Sequence, residues 1–397
     1  MTQFYFAYGS NLNAADWQAF CARSGFDAAC MVPVKRVHLP DNTLVFDYYS
    51  SGRQGGAVNI ARKIGAAVDG MLFLVTEDGW AALDAKEGHP NYYERETVHV
   101  IDEDGEAIEA QTYRVVPAKR GAFHAPNKHY LDICLQGRRA FGLSVSDLAR
   151  AAEDRPTGTI ANVFVYGTLM RGEMRAHAWA DRGAECVLLA DVSGRLCDHG
   201  AYPGLVLDEN RRIRGEFVRF REIGPVLRAL DAIEGFSGFG DPDNLFDRTL
   251  VMVHVGDNRL RQAWVYTVRD PSMPTIEEGD WRHSRGRRRE AIAAVILGHA
   301  RGVADFAQRV ATEATHSFDL EPAPVRSLPE LVDAVIAGEV SERVLARASN
   351  DWGIRFGPEA LKEARAVLAA GSPDEPGSQD SFNKHDDDDP EAIGDAA

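Results

Sequence analysis

Two glutamates lie in almost identical sequence surroundings, and a carboxylate repeated in this way could move protons during catalysis. Glu87 lies in LDAKEG and Glu234 in LDAIEG, two segments that share five of six residues. In each segment a leucine four residues earlier shares the helical face of the glutamate, and the glycine that follows fits the end of a helix. The helix dipole disfavours an acidic residue at that end, so its repeated presence suggests a purpose.

The competing interpretation is an exposed glutamate in the last helical turn, held by a nearby arginine. The spacing alone is equally compatible with both interpretations. Lys86 in the first segment is replaced by Ile233 in the second, while the glutamate is kept. That contrast favours a functional role.

A second pair of segments could bind a ligand. A short run of aromatic and β-branched residues ends each time in Tyr-Gly-Ser/Thr, which predicts a strand entering a turn. Glycine lets the backbone approach a ligand closely, and the hydroxyl, amide and N–H groups that follow can donate to an anion or a carbonyl oxygen. Such a turn is weak evidence on its own, and we expect both copies to share one backbone conformation. The candidate binding residues are Tyr8, Gly9, Ser10, Asn11, Leu12, Tyr166, Gly167, Thr168 and Leu169.

These segments belong to a longer internal repeat. FYFAYGSNLN is matched by VFVYGTLMRG, LDAKEG by LDAIEG, YYERETVHV by LFDRTLVMV, and QTYRV by WVYTV. The interval from Arg95 to Tyr113 is 18 residues, as is the interval from Arg248 to Tyr266. Four elements that recur in one order indicate two copies of one domain rather than independent strand and turn patterns.

The repeat divides the chain into four predicted parts. The first domain covers residues 1–153, and the second domain covers residues 160–282. The first domain ends in a predicted terminal helix that carries Leu131, Cys134, Leu135, Ala140 and Phe141 at mostly helical spacings. Residues 283–371 predict further helices without readable chemistry. We expect the arginine cluster that opens this region to be a solvated face or a contact with acidic surface rather than an anion site. The acidic residues 372–397 are predicted to be disordered.

Composition limits the class of protein. The chain has 397 residues, 45% of them hydrophobic, and a formal net charge of −16. This charge argues against a general nucleic-acid binder, and no run approaches the roughly 18 apolar residues that span a bilayer. The N-terminal segment does not resemble a secretory signal. From residue 371 onward there are nine acids against Lys384, so half of the net charge belongs to the end of the chain.

The cysteines and histidines suggest neither a disulfide framework nor a metal site. The five cysteines are odd in number and contain no CxxC pair, which favours reduced thiols in a cytoplasm. The twelve histidines show no HxxxH or other ligand spacing, so no metal is assigned.

The ordered motifs resemble the gamma-glutamylcyclotransferase family. In the first half the resemblance is carried by FAYGSNL, GGAVNI, DGMLFLV, LDAKEG and PNKHYLDICLQGRRAFGL. The second half is similar to the gamma-glutamylamine cyclotransferase branch, through VFVYGTLMRG, AYPGLV, RGEFVRF, LDAIEG, FDRTLV, AWVYTV and IEEGDW. The resemblance covers about residues 1–150 and 160–282, and it is more specific for the fold than for the substrate.

The resemblance implies an α+β fold with two tandem small mixed β-barrels and flanking helices. It also implies that the Tyr-Gly turn binds a gamma-glutamyl group through backbone N–H groups. A single glutamate, Glu87 in the first copy and Glu234 in the second, would act as acid and base. The products would be 5-oxoproline and a free amine or amino acid, formed without a metal or cofactor.

Further residues carry over from the resemblance. Tyr93, Tyr113 and Tyr266 match tyrosines that line the family's pocket. Phe246 takes the position of Tyr93 in the second copy and lacks the hydroxyl, which bears on the substrate and the activity of that copy. Arg95 and Arg248 could each pair with a substrate carboxylate or with a neighbouring acid, and the second possibility is favoured.

Three functions remain open on these grounds. The leading hypothesis is an enzyme with a small-molecule gamma-glutamyl substrate, no nucleic-acid partner and no membrane partner. The second is a non-catalytic protein that binds a small ligand, with the helical region or acidic tail contacting a protein partner. The third is removal of a gamma-glutamyl group from a larger molecule.

Overall fold

A pair of closed five-stranded β-barrels dominates the computed structural model, which describes residues 3–155, 158–200, 202–256 and 259–285. Both barrels mix parallel and antiparallel strand pairs and carry helices on their flanks, which confirms the predicted α+β class. The predicted helices of residues 283–371 lie outside the described residues except for 283–285, as does the predicted disordered tail. The domain boundaries stay predictions.

The first barrel has the strand order β1-β3-β2-β4-β5, and β1 closes it by pairing with β5 in parallel. Its elements in chain order are β1 (Gln3–Ala7), α1 (Ala14–Ser24), β2 (Met31–Ser50), β3 (Gly55–Val75), α2 (Glu77–Glu87), β4 (Tyr93–Ile101), β5 (Ala107–Val115), α3 (Lys128–Ala140) and α4 (Val145–Ala151).

A long hairpin forms the wall of the first barrel and carries a loop at residues 51–54. Its strands, β2 and β3, contain 20 and 21 residues and shift register at three places. Such irregularities bend a strand and increase its twist, which lets one long hairpin curve around a small barrel. The hairpin therefore presents its loop beside the end of α2.

The second barrel has the strand order β10-β6-β12-β11-β7, and a separate small sheet has the order β13-β8-β9. The elements are β6 (Asn162–Val165), β7 (Ala184–Ser193), β8 (Arg195–Asp198), β9 (Pro203–Val206), β10 (Arg212–Phe220), α5 (Ile223–Glu234), β11 (Phe246–Val255), β12 (Arg259–Val268) and β13 (Thr275–Ile276). The closing parallel pair joins β12 to β6, as β5 joins β1 in the first barrel.

The helices α2 and α5 end at the two repeated glutamates, as predicted. Thr76 caps the start of α2 by accepting the N–H of Gly79, and Glu77 and Asp78 occupy its first turn. Both helices stop at a glycine in the left-handed region, Gly88 with φ 64° and Gly235 with φ 63°. The sequence after each glutamate thus turns the chain away and leaves the carboxylate at the helix end.

The predicted terminal helix is present as α3, which carries Leu131, Cys134, Leu135 and Ala140 and is capped at Phe141, and a second short helix, α4, follows it. The N–H of Leu143 bonds to the carbonyl of Arg138 at 2.9 Å, which closes α3. The Ser144 hydroxyl then accepts the N–H of Asp147 and caps α4. Among the described residues, no helix is long and apolar enough to cross a membrane.

A buried arginine joins the two barrels. The guanidinium of Arg248 on β11 pairs with Asp231 of its own barrel at 2.9 Å and with Asp41 of the first barrel. It lies 4.9 Å from the ring of Phe236 and 5.1 Å from that of Trp264. Arg248 therefore pairs with neighbouring acids, and one of those acids belongs to the other copy.

Candidate active sites in the two barrels

Glu87 lies at the end of α2 in direct contact with the Tyr-Gly turn. The side-chain amide of Asn11 donates to Glu87 Oε1 at 2.7 Å and to the hydroxyl of Tyr5 at 2.8 Å. Asn11 is 3% exposed, and its carbonyl oxygen has no hydrogen-bond partner within the described residues. Two segments separated by 76 positions thus form one polar site.

The turn itself is a short 3-10 segment over Ser10–Leu12, entered from Gly9 with φ −115° and ψ −137°. A Cβ on Gly9 would lie 2.7 Å from a methyl group of Val58, so the close packing of the turn on β3 requires glycine. The first N–H groups of such a segment have no acceptor within it. The turn can therefore offer backbone donors next to Glu87.

A cavity of 260 Å³ opens beside Glu87 and continues into a recess of 30 Å³. The outer cavity is lined by the hairpin loop and by Tyr48 and Tyr92, and the recess is lined by Gly9 and Asn11. The residues common to both are Ser10, Glu87, Tyr93 and Tyr130. The glutamate thus faces a space that is narrow on the side of the turn and wider toward the hairpin loop.

Burial raises the pKa of the Glu87 carboxyl above its ordinary value, because a charged group loses hydration in this enclosure. Lys86 and the hydrogen bond from Asn11 act in the opposite direction without cancelling this effect. A carboxyl with a raised pKa exchanges protons closer to neutral pH, which is what a general acid or base needs.

The predicted tyrosines lie at the first site, with their hydroxyls bonded to protein groups. Tyr93 donates to the carbonyl of Val58 at 3.1 Å and Tyr113 donates to Asp84 at 2.7 Å. Tyr8 donates to the backbone carbonyl of Tyr113 at 2.7 Å. Their rings wall the recess, and the hydroxyls hold neighbouring elements together.

Arg95 and Leu12, two further residues considered from the sequence, contact other groups of the protein. Arg95 pairs with Asp84, with 2.8 Å between Nε and Oδ1, and its guanidinium lies 4.9 Å from the ring of Trp80. The alternative of a neighbouring acid therefore holds for Arg95 as it does for Arg248. Leu12 is 1% exposed and packs in the hydrophobic core of the first barrel.

A fully buried arginine supports the turn from behind. Arg138 on α3 is 0% exposed and donates to the carbonyls of Tyr8 at 3.3 Å, Asp69 at 3.1 Å and Ser144 at 2.6 Å. The Tyr8 carbonyl belongs to the same peptide group as the Gly9 N–H. A cation on that carbonyl polarises the peptide and strengthens the N–H as a donor.

The second copy places Glu234 in a different electrostatic setting. Glu234 is 5% exposed, and its Oε1 lies 3.8 Å from Nη1 of Arg175. The guanidinium of Arg175 also lies 5.3 Å from the ring of Tyr202. Burial raises the pKa of Glu234 to about 7, although Arg175 opposes the shift.

The second turn does not share the backbone of the first, which corrects that expectation. Its 3-10 segment runs over Gly167–Leu169, one residue earlier in the repeat, and Gly167 has φ 58°. Gly167 is required there, because its φ is in the left-handed region and Pro203 occupies the space that a Cβ would need. Leu169 stands where the first copy has Asn11, so the second turn supplies no side-chain amide to its glutamate at that position.

Two tyrosine hydrogen bonds near the glutamates are the same in both barrels. The Tyr166 hydroxyl donates to the carbonyl of Tyr266 at 2.9 Å, as Tyr8 does to Tyr113. The Tyr266 hydroxyl donates to Asp231 at 2.6 Å, as Tyr113 does to Asp84. Thr168 is buried, and its carbonyl accepts the N–H of Arg175 at 2.9 Å, which fixes the arginine beside the second turn.

Comparison with known proteins identifies one family for both barrels. The sequence profile of the family described as gamma-glutamyl cyclotransferase, AIG2-like, matches residues 5–132 and 163–283, one segment for each barrel. The chain belongs to this family. It is therefore an enzyme of the gamma-glutamyl cyclotransferase class.

Individual members of the family cover parts of the chain. The gamma-L-glutamyl-butirosin B gamma-glutamyl cyclotransferase of Niallia circulans is 37% identical over 126 residues, which are 31% of this chain and 77% of that protein. A solved gamma-glutamyl cyclotransferase is 22% identical, with a TM-score of 0.33, and the match covers 38% of this chain and 86% of that one. An AIG2-like protein from Mus musculus is 27% identical, with a TM-score of 0.25, and covers 30% and 86%.

The sequence patterns did not indicate two arginines that lie near the candidate active sites, Arg138 and Arg175. Arg138 stands in the motif QGRRAFGL, where no sequence signal distinguishes it from its neighbour Arg139, and Arg175 lies in a stretch that the repeat does not match.

Within the described residues, no group of three or more His, Cys, Asp or Glu side chains could hold a metal ion.

Proposed function

We propose that the first barrel converts a gamma-glutamyl amide into 5-oxoproline and a free amine or amino acid, with Glu87 as general acid and base. The observation that carries this proposal is the position of Glu87, in a cavity and hydrogen-bonded to Asn11 of the turn at 2.7 Å. The family membership supports the class of reaction.

The substrate supplies its own nucleophile. Its α-amino nitrogen attacks its γ-carbonyl carbon, a five-membered lactam closes, and the bond from that carbon to the leaving nitrogen breaks. A narrow recess that folds the glutamyl chain back on itself brings the two atoms together and lowers the entropic part of the barrier. No catalytic serine or cysteine is needed.

Glu87 balances the protons. The α-amino group is largely protonated at neutral pH, with a reference pKa of about 8, and the carboxylate removes a proton so that the nitrogen can attack. The same carboxyl then gives that proton to the leaving nitrogen. The restored carboxylate takes the second proton that the attacking nitrogen must lose to become the lactam N–H, and passes it to the freed amine or to solvent. The raised pKa of Glu87 suits both steps, because it narrows the gap between the carboxyl and the amine.

The turn would stabilise the charge that develops during the attack. The γ-carbonyl oxygen becomes an oxyanion in the tetrahedral intermediate, and backbone N–H groups of Gly9, Ser10 and Asn11, which line the recess, would donate to it. The side-chain carbonyl oxygen of Asn11, which has no hydrogen-bond partner within the described residues, would accept a hydrogen bond from the substrate ammonium group. One side chain would thus orient both the acid/base residue and the nucleophile.

The second barrel is a second candidate site of the same reaction. Its carboxyl has a pKa of about 7, close to the value that favours general acid–base catalysis at neutral pH. The different turn and the presence of Arg175 support a different gamma-glutamyl substrate. Binding of such a compound without turnover is the alternative role for this barrel.

The experiment is a survey of gamma-glutamyl compounds with the wild type, Glu87→Gln, Glu234→Gln and the double variant. Gamma-L-glutamyl-butirosin B belongs in the panel because the Niallia circulans relative is named for it and because it carries a larger leaving amine. Release of 5-oxoproline that Glu87→Gln abolishes for at least one compound supports the proposal. Wild-type protein that releases none from the whole panel would refute it.

A further inference from the structure

The loop that carries Arg175 in the second barrel has little regular structure. In the first barrel the chain passes from the turn directly into α1, which Asn13 caps by accepting the N–H of Asp16 at 3.0 Å. After the second turn the chain instead runs through residues 170–175 into a short 3-10 turn, Ala176–Ala178. An irregular segment depends on its side-chain contacts for a fixed position. The contacts of this loop therefore decide where Arg175 lies.

A helical turn at residues 281–285 follows the last strand of the second barrel and is anchored at its start. Asp280 caps it by accepting the N–H of His283 at 3.1 Å. Trp281 is buried and belongs to the hydrophobic core of the second barrel. The cap and the buried ring together fix the turn to the barrel.

Two arginines of this helical turn hold one glutamate of the loop. Arg282 and Arg285 are three positions apart and so share one face. Nε of Arg282 donates to Glu173 Oε1 at 3.2 Å, and Nη1 of Arg285 donates to Glu173 Oε2 at 3.0 Å. Each carboxylate oxygen of Glu173 thus accepts from a different arginine. These two arginines are the first members of the arginine cluster, which contacts acidic side chains here as expected.

Arg282 also binds the backbone of the loop and a strand of the barrel. Its Nη2 donates to the carbonyl of Arg171, and its Nη1 lies 3.6 Å from Oε1 of Glu216 on β10. The other oxygen of Glu216, a buried residue, accepts the N–H of Arg171 at 2.7 Å. Arg282 therefore holds the loop at two positions, Arg171 and Glu173, both shortly before Arg175 in the chain.

The backbone of Arg175 is bound between the second turn and this anchored glutamate. Its N–H donates to the carbonyl of Thr168 at 2.9 Å, and the N–H of Ala176 donates to the carbonyl of Glu173 at 3.1 Å. From this position Nη1 of Arg175 reaches to 3.8 Å from Glu234 Oε1. A displacement of Glu173 would consequently move the guanidinium away from Glu234.

Two tyrosines are the other titratable groups that face Glu234 within the described residues, Tyr166 after β6 and Tyr266 on β12. Burial raises the pKa of each hydroxyl well above its ordinary value, so both stay neutral in the physiological range. The charge beside Glu234 is thus set by where Arg175 lies.

We infer that Arg282 is a positioning residue of the second site, which anchors residues 170–175 to the barrel and keeps Arg175 beside Glu234. The inference rests on the proposed function, since it assigns Arg282 to the site in which Glu234 would act as acid and base. Residues 281–285 accordingly belong to the second site, although they follow the repeated segment in the chain.

The test measures the pKa of Glu234 by carbon-13 NMR of the glutamate carboxyls in the Glu87→Gln background, with Glu234→Gln to identify the signal. Arg282→Met should release Arg175 and raise the midpoint by about half a pH unit or more, because a nearby cation favours the charged carboxylate. Arg282→Lys keeps the charge but donates from a single atom, so a smaller rise is expected. The control is Arg211→Met, which removes an arginine of similar exposure that pairs with Glu277 and should leave the midpoint in place.

Two further comparisons separate positioning from a direct effect of charge. Glu173→Met removes a negative charge, which by direct electrostatics would lower the pKa of Glu234, whereas loss of the loop anchor should raise it. Glu277→Met removes the same charge from the control pair and should not raise the midpoint. In the Arg175→Met background, Arg282→Met should have no further effect, because its influence passes through Arg175.

Each result supports or overturns the inference without any need for turnover. An equal rise from Arg282→Met with and without Arg175 would overturn it, because Arg282 would then act on Glu234 directly. An unchanged midpoint in Arg282→Met, or a lower midpoint in Glu173→Met, would overturn it as well. The inference can therefore fail while the reaction of the second barrel stands, and it can hold if that barrel binds its ligand without turnover.

Discussion

The side-chain amide of Asn11 donates to Glu87 Oε1 at 2.7 Å, and no such contact can form in the second barrel, where Leu169 stands at the matching position. One residue of the turn therefore decides how the acid/base carboxyl is held. The two copies share a fold and a glutamate and differ in the group that faces the glutamate, an amide in one and a guanidinium in the other.

We predict that Asn11→Leu, which copies the second barrel, lowers kcat of the first barrel about tenfold to a hundredfold. Loss of a hydrogen bond to the charged form should also raise the pKa of Glu87 further, so the activity limb that follows its ionisation moves to higher pH. The measurement is a pH–rate profile in the Glu234→Gln background, with Asn210→Leu on the exposed surface as control. An unchanged profile would show that Asn11 is not part of the site.

Arg138→Met should weaken the turn as a donor. We expect kcat of the first barrel to fall about tenfold while KM changes little, because the oxyanion forms only in the transition state. Arg114→Met is the matched control, since Arg114 is also a buried arginine of the first barrel but bonds to Glu96 and to the carbonyl of Ile60. Both variants should be less stable than the wild type. Only Arg138→Met should have a lower kcat per folded molecule. Equal kcat values in the two variants would assign Arg138 a purely structural role.

The titration of Glu234 should appear in the stability of the protein. Its pKa is about 7 in the folded chain, against about 4.3 for an ordinary glutamate in the unfolded chain. The folded state therefore binds more protons between these values, and the free energy of unfolding falls as pH rises from about 4.3 to 7, by about 3–4 kcal/mol. Glu234→Gln should remove this decrease. We would measure chemical denaturation of both proteins at several pH values, and parallel curves would contradict the assignment.

The same carboxyl predicts the pH dependence of the second barrel. If Glu234 acts as a base, turnover in the Glu87→Gln background should rise through pH of about 7. Arg175→Met removes the cation that favours the charged form, so this midpoint should move upward. A midpoint that stays in place would show that Arg175 does not act on Glu234.

The ion pair between Asp41 and Arg248 should stabilise the contact between the two barrels. Arg248→Met leaves Asp41 and Asp231 without their common cation, and breaking a buried pair of this kind costs about 3–5 kcal/mol. Arg95→Met is the internal control, because Arg95 is 31% exposed and pairs with Asp84 alone, and a smaller loss is expected there. Denaturation of the two variants under the same conditions checks the order. A larger loss in Arg95→Met would contradict the account.

The repeat made much of this arrangement predictable. LDAKEG and LDAIEG placed both glutamates at helix ends, and the aromatic runs before Gly9 and Gly167 predicted strands that lead into turns. The fold class followed from the family resemblance. These features are local or repeated, so the sequence displays them directly.

The remaining features depend on contacts between distant segments. Arg138 reaches the Tyr8 carbonyl across 130 positions, and Arg248 reaches Asp41 across 207 positions. Gly167 of the second turn packs against Pro203, 36 positions away, and the additional helix α4 begins where Leu143 closes α3 and Ser144 caps the next turn. Neither periodicity nor a motif carries information of this kind.

The central claim is that the substrate's own α-amine, assisted by Glu87, displaces the leaving amine. The most direct measurement follows a gamma-glutamyl substrate in water enriched in oxygen-18, with the wild type and Glu87→Gln, both in the Glu234→Gln background. We expect 5-oxoproline without the label, its loss in Glu87→Gln, and no reaction when the α-amine is acetylated. Labelled glutamate as the product, or turnover of the acetylated substrate, would contradict it, because water would then be the nucleophile.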